Sequence, residues 1–181
     1  MPPQAPTVRA RLEPPAMRHA AAFVQAVQQS RAFHRPWAYP PSTIEQYRAF
    51  LRRARRRTHL SHLVYTEADE LAGVININEI VRGNFGSGYL GYYALSPHQG
   101  RGYLRAGLSQ VMQRAFGEYG LHRLEANIQP DNQRSIALVR SLGFRQEGYS
   151  PKYLKIGGRY RDHERWAILA EEWKATSRRS R

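Results

Sequence analysis

Two short stretches carry residue types whose spacing could do chemistry. In Gln99-Gly100-Arg101-Gly102-Tyr103-Leu104, glycines stand just before Leu104, Leu108, Val111, Met112 and Ala115, which recur at helical spacing. Glycine lets backbone come close to a ligand, and the first turn of a helix has N–H groups without partners. The backbone from Gly100 to Leu104 therefore predicts a cradle for an anion such as a pyrophosphate, with the Arg101 side chain assisting from outside. A dinucleotide-binding turn would need a third glycine where Arg105 stands, and the glycine-lysine run of a P-loop is absent. An ordinary left-handed turn before a helix accounts for the glycines as well. In the second stretch, Pro130-Asp131-Asn132 starts a helix, and Asn132 and Ser135, three apart, share a face. Asn132 is also a plain N-cap residue.

Both stretches need a scaffold. Alternation predicts strands over 8–12, 59–67, 71–80, 88–95 and 122–129, then 144–149, 153–156 and 162–169. The three strands from His59 to Leu95 are joined by short turns, which predicts an antiparallel meander. Helical spacing is read over 16–30, with Met17, Ala20, Ala21, Val24 and Val27 inward. A second helix starts at a capping box, Ser42-Thr43-Ile44-Glu45, and turns Tyr47, Phe50 and Leu51 inward. Further helices follow Gly102 and Asn132. Between the first two helices, His34 to Pro41 forms a stiff aromatic loop whose Trp37 and Tyr39 could line a substrate mouth or serve as a packed connector.

Composition bounds the rest. A chain of 181 residues, 41% hydrophobic, is long enough for one domain with a real core. With no cysteine, disulfides, thiolate metal sites and a cysteine nucleophile are excluded, so any acyl transfer is direct or passes through oxygen or nitrogen. No metal-ligating constellation is read. No apolar run suits a membrane span or a signal core, so a cytoplasmic home without membrane contact is expected. The 28 Lys and Arg against 14 Asp and Glu give +14, a charge drawn to polyanions such as RNA, the ribosome or a phosphate-rich cofactor. Five arginines in 52–57 concentrate it, although cations at a helix C-terminus also offset the macrodipole.

Together these features resemble the Gcn5-related N-acetyltransferase (GNAT) superfamily. Gln99-x-x-Gly102-x fits its Gln-x-x-Gly-x-[Gly/Ala] acetyl-CoA signature, with Leu104 departing at the last position. Asn132-Gln133-Arg134-Ser135 and Leu142-Gly143-Phe144 follow about thirty residues on, as in the family's two-part core. More narrowly, Arg35-Pro36-Trp37, His98-Gln99-Gly100-Arg101-Gly102, Glu147-Gly148-Tyr149 and Tyr160-Arg161-Asp162-His163 resemble RimJ-type ribosomal-protein alanine N-acetyltransferases. The resemblance runs from about Val8 to Trp173. It implies an α+β fold, three-layer α/β/α, with a mixed, mostly antiparallel central sheet flanked by helices. The domain is expected over 1–173, with a basic tail over 174–181 that is loose from Thr176. A family glutamate is missing from Leu104-Arg105-Ala106-Gly107, and Val139 stands where many GNAT enzymes carry a tyrosine acid.

The resemblance implies acetyl-CoA as cofactor, contacted by Gln99, the Gly100–Leu104 backbone, Asn132 and Ser135. It also implies that the strand at Ala94 and Leu95 splays from 125–128 and offers free N–H groups to the pantetheine. Acetyl transfer from a thioester needs a held cofactor, a deprotonated amine, a stabilised oxyanion and a protonated thiolate. Ser135 is the expected proton donor. Glu125, on the strand beside the cleft, is the first candidate base and Glu79 the second, while Asp162-His163 is a supporting pair. An α-amine, with a pKa of about 7.7–8.0, asks less of a base than lysine at about 10.4. Trp37, Tyr39 and Tyr93 are expected to shape the acceptor site.

The expected activity is transfer of acetyl to the α-amine of a protein N-terminus, such as a ribosomal protein, by a monomer or homodimer. A small-amine acceptor, and a module that binds acetyl-CoA or RNA without turnover, are the alternatives.

Overall fold

The alternating strands assemble into one seven-stranded sheet in the computed structural model, which describes residues 8–179. In chain order they are β1 (Arg11–Glu13), β2 (Leu60–Tyr65), β3 (Leu71–Val81), β4 (Ser87–Ala94), β5 (Arg123–Ile128), β6 (Arg145–Ile156) and β7 (Arg159–Leu169). Their order across the sheet is β1-β2-β3-β4-β5-β7-β6, and only β4 and β5 run parallel. The helices are α1 (Ala20–Gln29), α2 (Arg31–His34), α3 (Ile44–Ala54), α4 (Tyr103–Gly117), α5 (Gln133–Ser141) and α6 (Ala170–Arg179).

Alternation sends successive residues to opposite faces. Ile75, Ile77, Leu124 and Ala126 pack with Leu108 and Val111 of α4 and with Ile136 and Val139 of α5. Leu63 and Val74 face Phe23 and Val27 of α1 and Tyr47, Phe50 and Leu51 of α3. These are the two outer layers of the expected α/β/α sandwich, and the β2-β3-β4 meander is present.

Several local expectations change. The inward stripe of α1 is Ala20, Phe23 and Val27, whereas Met17 and Ala21 are exposed. Phe23 won this place because its ring stacks on Phe50 and packs at a tilt against Tyr47, and burying it completely contributes about 1.5–3 kcal/mol. The cap of α3 sits one residue later than read: Thr43 Oγ1 accepts from Gln46 N, while Gln46 Oε1 accepts from Ser42 N. The expected strands 144–149 and 153–156 are one edge strand, β6, with an irregular register between Ser150 and Leu154. Asp162 of β7 holds that irregularity by accepting from Lys152 N and from the Tyr149 hydroxyl. Where a loose tail was expected from Thr176, α6 continues through Arg179, and Ser180 and Arg181 lie outside the described residues.

Candidate active site

The parallel pair β4–β5 positions the site. Their register runs from Ser87↔Arg123 to Leu90↔Ala126 and stops, although β4 continues to Ala94 and β5 to Ile128. Beyond Leu90 and Ala126 the strands no longer pair, which is the splay the family resemblance implies. A cavity of about 880 Å3 opens there, with Tyr92, Tyr93 and Ala94 in one wall and Asn132 to Ser135 in another. Gln99, Gly100, Gly102 and the first turn of α4 line it as well.

Backbone groups face this gap in a definite order. Leu95 N donates to Ala72 O at 2.8 Å, so its N–H is not free, contrary to the expectation. Bonded and non-bonded pairs alternate along an antiparallel ladder. With Leu95 bonded to Ala72, alternation turns the N–H groups of Ala94 and Tyr92 towards the gap. The Ala94 carbonyl is taken, because His34 Nε2 donates to it at 2.7 Å. Leu95 itself is fully buried and lines nothing.

The glycine turn behaves as a cradle. Gly100 (φ +76°) and Gly102 (φ +89°) adopt left-handed backbone that a larger residue resists, and no atom stands within 4 Å of where a Gly100 Cβ would be. Gly102 is the N-cap of α4, so the N–H groups of the first turn lack helix partners. The Gln99 side-chain oxygen is buried without a partner. Arg105 and Arg134 stand in the cavity wall, whereas Arg101 does not. The sequence offered a signal for Arg105, three residues past Gly102 and in the first turn. Leu104, the departure from the signature, has room because β3 carries Gly73 beneath it, where a Cβ would lie 2.8 Å from Leu104 Cδ2.

Asn132 is the N-cap of α5 and accepts from Ser135 N at 3.2 Å. Ser135 Oγ shares a 2.6 Å hydrogen bond with the Tyr92 hydroxyl. Burial pushes the Tyr92 phenol up to about 12, against a smaller downward effect of Ser135. Tyr92 was not foreseen, since its adjacent Tyr93 carries the same side chain on the opposite face. The Tyr93 ring meets His34 edge-on, and burial raises its phenol strongly. Burial lowers the His34 imidazole, with the Ala94 bond opposing.

The remaining expected residues separate. Trp37 lines the main cavity, and its carbonyl accepts from Gln129. Tyr39 instead lines a neighbouring cavity of about 690 Å3, which shares His34 and Ala38 with the first. The Tyr39 ring packs against Gly157 in the β6–β7 turn, closing loop onto turn. Glu125 lies on the sheet face away from α4, next to Tyr89, and accepts from Arg123 Nε at 2.8 Å. Arg123 also binds Glu147, which raises its guanidinium and lowers the Glu147 carboxyl. Glu79 stands at a bulge near the far end of β3, beside the start of β4, with φ +48° and its side chain 72% exposed. Its neighbour is His59, and the structure does not bring it to the cavity. Asp162 and His163 have separate partners: the former binds β6 and the latter the Arg161 carbonyl. Among the described residues no helix is long and apolar enough to cross a membrane.

A parallel pair splayed over a glycine-led helix defines the class of acyl-transfer folds to which GNAT proteins belong. The profile described as Acetyltransferase (GNAT) domain matches residues 9–145, and the chain belongs to that family. It is 38% identical over 104 residues to the [Ribosomal protein uS5]-alanine N-acetyltransferase of Escherichia coli (strain K12), covering 58% of this chain and 54% of that protein. It is 35% identical over 107 residues to the probable N-acetyltransferase YjcK of Bacillus subtilis (strain 168), covering 59% of each. The matches thus span little more than half of these relatives. Among solved structures, Mycobacterium smegmatis RimJ in complex with CoA-disulfide superposes with a TM-score of 0.82 at 26% identity, over 94% of this chain and 93% of that one. A Vibrio cholerae spermidine N-acetyltransferase, in complex with CoA and spermine, shares the fold at 18% identity, with a TM-score of 0.78 over 92% and 98%.

Proposed function

We propose that the protein is a cytoplasmic, acetyl-CoA-dependent N-acetyltransferase that acts on the α-amine of a protein N-terminus, with a ribosomal protein as the acceptor. The β4–β5 fork over the Gly100–Gly102 cradle carries this reading. Acetyl-CoA supplies an activated acetyl thioester. The amides of the α4 first turn, with Arg105 and Arg134, suit its phosphates. The Tyr92 and Ala94 N–H groups donate to the thioester arm and stabilise the charge developing on its oxygen. Ser135, backed by the Tyr92 hydroxyl, is the proton donor to the departing sulfur. Glu125 is the proton sink for the amine, reached through water.

The acceptor class follows from charge. Arg31, Arg35 and Arg53 line the neighbouring cavity, and none of the three is ion-paired among the described residues. No carboxylate lines it. A polyamine would meet repulsion there, whereas a protein N-terminus followed by an acidic residue would be attracted. The exposed arginines at the end of α3 suit contact with ribosomal RNA.

Thiol release from acetyl-CoA with a panel of acceptors tests the reading. Turnover with peptides starting in Ala or Ser supports it. Turnover with spermidine alone overturns the acceptor, and acetyl-CoA binding with no turnover on any amine overturns the enzyme.

A further inference from the structure

The cavity of about 690 Å3 beside the fork is a trench along α3. Gln46, Ala49, Phe50 and Arg53 line it at i, i+3, i+4 and i+7, so one face of the helix forms a wall. Val27, Gln28 and Arg31 line it from α1 and α2, and the loop from Arg35 to Thr43 completes it. Gln46 and Arg53, seven residues apart, are separated by about 10 Å along the helix axis. An extended chain covers that distance with about three residues.

The trench opens into the fork cavity at His34 and Ala38, which line both. That junction is fixed. His34 Nε2 donates to the carbonyl of Ala94, the last residue of β4, at 2.7 Å. Trp37 N and Ala38 N donate to the His34 carbonyl at 2.8 and 2.9 Å. The loop is also braced from outside, where the Tyr39 ring packs against Gly157. A chain whose first nitrogen lies in the fork can therefore pass His34 and Ala38 and run on into the trench.

The charge of the trench is built into this part of the chain. Between Glu13 and Glu67 the sequence carries nine arginines and one carboxylate, Glu45. Glu45 belongs to α3 but does not line the trench. Arg31, Arg35 and Arg53 do line it, and none of them is ion-paired among the described residues. The Arg35 guanidinium lies 4.6 Å over the Tyr39 ring, which places the group without neutralising it. A guanidinium presents its N–H groups as a fork that matches a carboxylate.

We propose that the trench holds residues 2–4 of the acceptor in extended form, and that Arg31, Arg35 and Arg53 select acidic side chains at those positions. This rests on the acetyltransferase reading and deepens it from a general preference in charge to a stretch of sequence and the residues that read it. The contacts form equally with the bound acceptor and with the transition state, so they act on KM and leave kcat in place. They also require a free N-terminal tail of about four residues, because a folded body cannot follow the chain into the trench.

The test uses the full chain, acetyl-CoA and peptides that start in Ala and differ only at residues 2–4, all Glu, all Gln or all Lys. On the unaltered protein KM is expected to be about tenfold lower for the Glu peptide than for the Gln peptide, and higher again for the Lys peptide, at similar kcat. Salt at about 0.5 M is expected to narrow these differences. Arg31→Glu with Arg53→Glu is expected to reverse the order, so that the Lys peptide has the lowest KM. Arg48→Glu makes the same charge change on α3 outside the trench, and is expected to leave each KM within about twofold. Equal KM for the Glu and Lys peptides overturns the proposal. So does a Glu preference that survives the double reversal, or one that Arg48→Glu removes as well, since selection would then lie in the overall charge. If the double variant fails to fold, a length series on the unaltered protein decides. KM is expected to fall as Glu residues are added up to residue 4 and to level off beyond it, and a KM indifferent to residues 2–4 overturns the proposal. Absence of turnover with every amine overturns the acetyltransferase reading itself, a result distinct from turnover that ignores residues 2–4.

Discussion

The Tyr92 hydroxyl and Ser135 Oγ share a 2.6 Å hydrogen bond that joins β4 to α5 across the cleft. Because burial holds Tyr92 up at about 12, its hydroxyl keeps its proton throughout the physiological range. The pair can therefore relay a proton to a departing thiolate. Ser135→Ala should lower kcat by about a hundredfold with little change in acetyl-CoA affinity, and Tyr92→Phe should cost less, since the serine still reaches the sulfur. Single-turnover kinetics check this, and a full-rate Ser135→Ala protein removes the serine from the chemistry.

Gly73 and Leu104 are matched. A Cβ at Gly73 would lie 2.8 Å from Leu104 Cδ2 and 3.0 Å from the Tyr93 carbonyl. Gly73→Ala should destabilise the protein by about 1–3 kcal/mol. Leu104→Ala on the same chain should restore part of that loss, with a coupling of about 0.5–3 kcal/mol. Urea unfolding of the two single variants and the double variant measures it, and strict additivity would refute the match.

His62 should make stability depend on pH. Burial, with a smaller contribution from Arg114, holds its imidazole down at about 4. In the unfolded chain the group has its ordinary value of about 6.5. Between these values the unfolded state binds a proton that the fold refuses, so stability is complete above about 6.5 and is lost as pH falls towards 4, by roughly 3 kcal/mol in all. His34 and His163, also lowered mainly by burial, act in the same direction. The urea midpoint should drop between about pH 7.5 and 5, and His62→Gln should flatten that drop.

The arginines at the end of α3 should give salt-dependent RNA binding. Arg52, Arg53, Arg55, Arg56 and Arg57 are all exposed, and none makes an ion pair among the described residues. Affinity for a ribosomal RNA helix should fall with salt, and each lost phosphate contact should reduce the log–log slope by about one. Replacing Arg52, Arg55, Arg56 and Arg57 by glutamate should flatten that slope while acetylation of a free peptide persists. Binding that ignores both salt and these residues would locate any RNA contact elsewhere.

Much of this protein was legible from its residues alone. Alternating apolar positions mark β2 to β5 because a half-buried strand has a period of two, and the Gly100–Gly102 run marks the cradle because left-handed backbone favours glycine. The Asn132-x-x-Ser135 spacing put two polar groups at one helix start. Glu125 and Glu79 were both carboxylates on strands, although only Glu125 stands between two apolar residues. Pairing register separates them: Glu125 lies one residue short of the fork, whereas Glu79 sits at a bulge near the other end of β3. The β4–β5 fork, the turn of the Tyr92 and Ala94 amides into it and the Tyr92–Ser135 bond were decided only by tertiary structure. Periodicity tells which face a side chain takes, but which strands lie side by side, and where their ladder stops, depends on contacts between residues far apart in the chain.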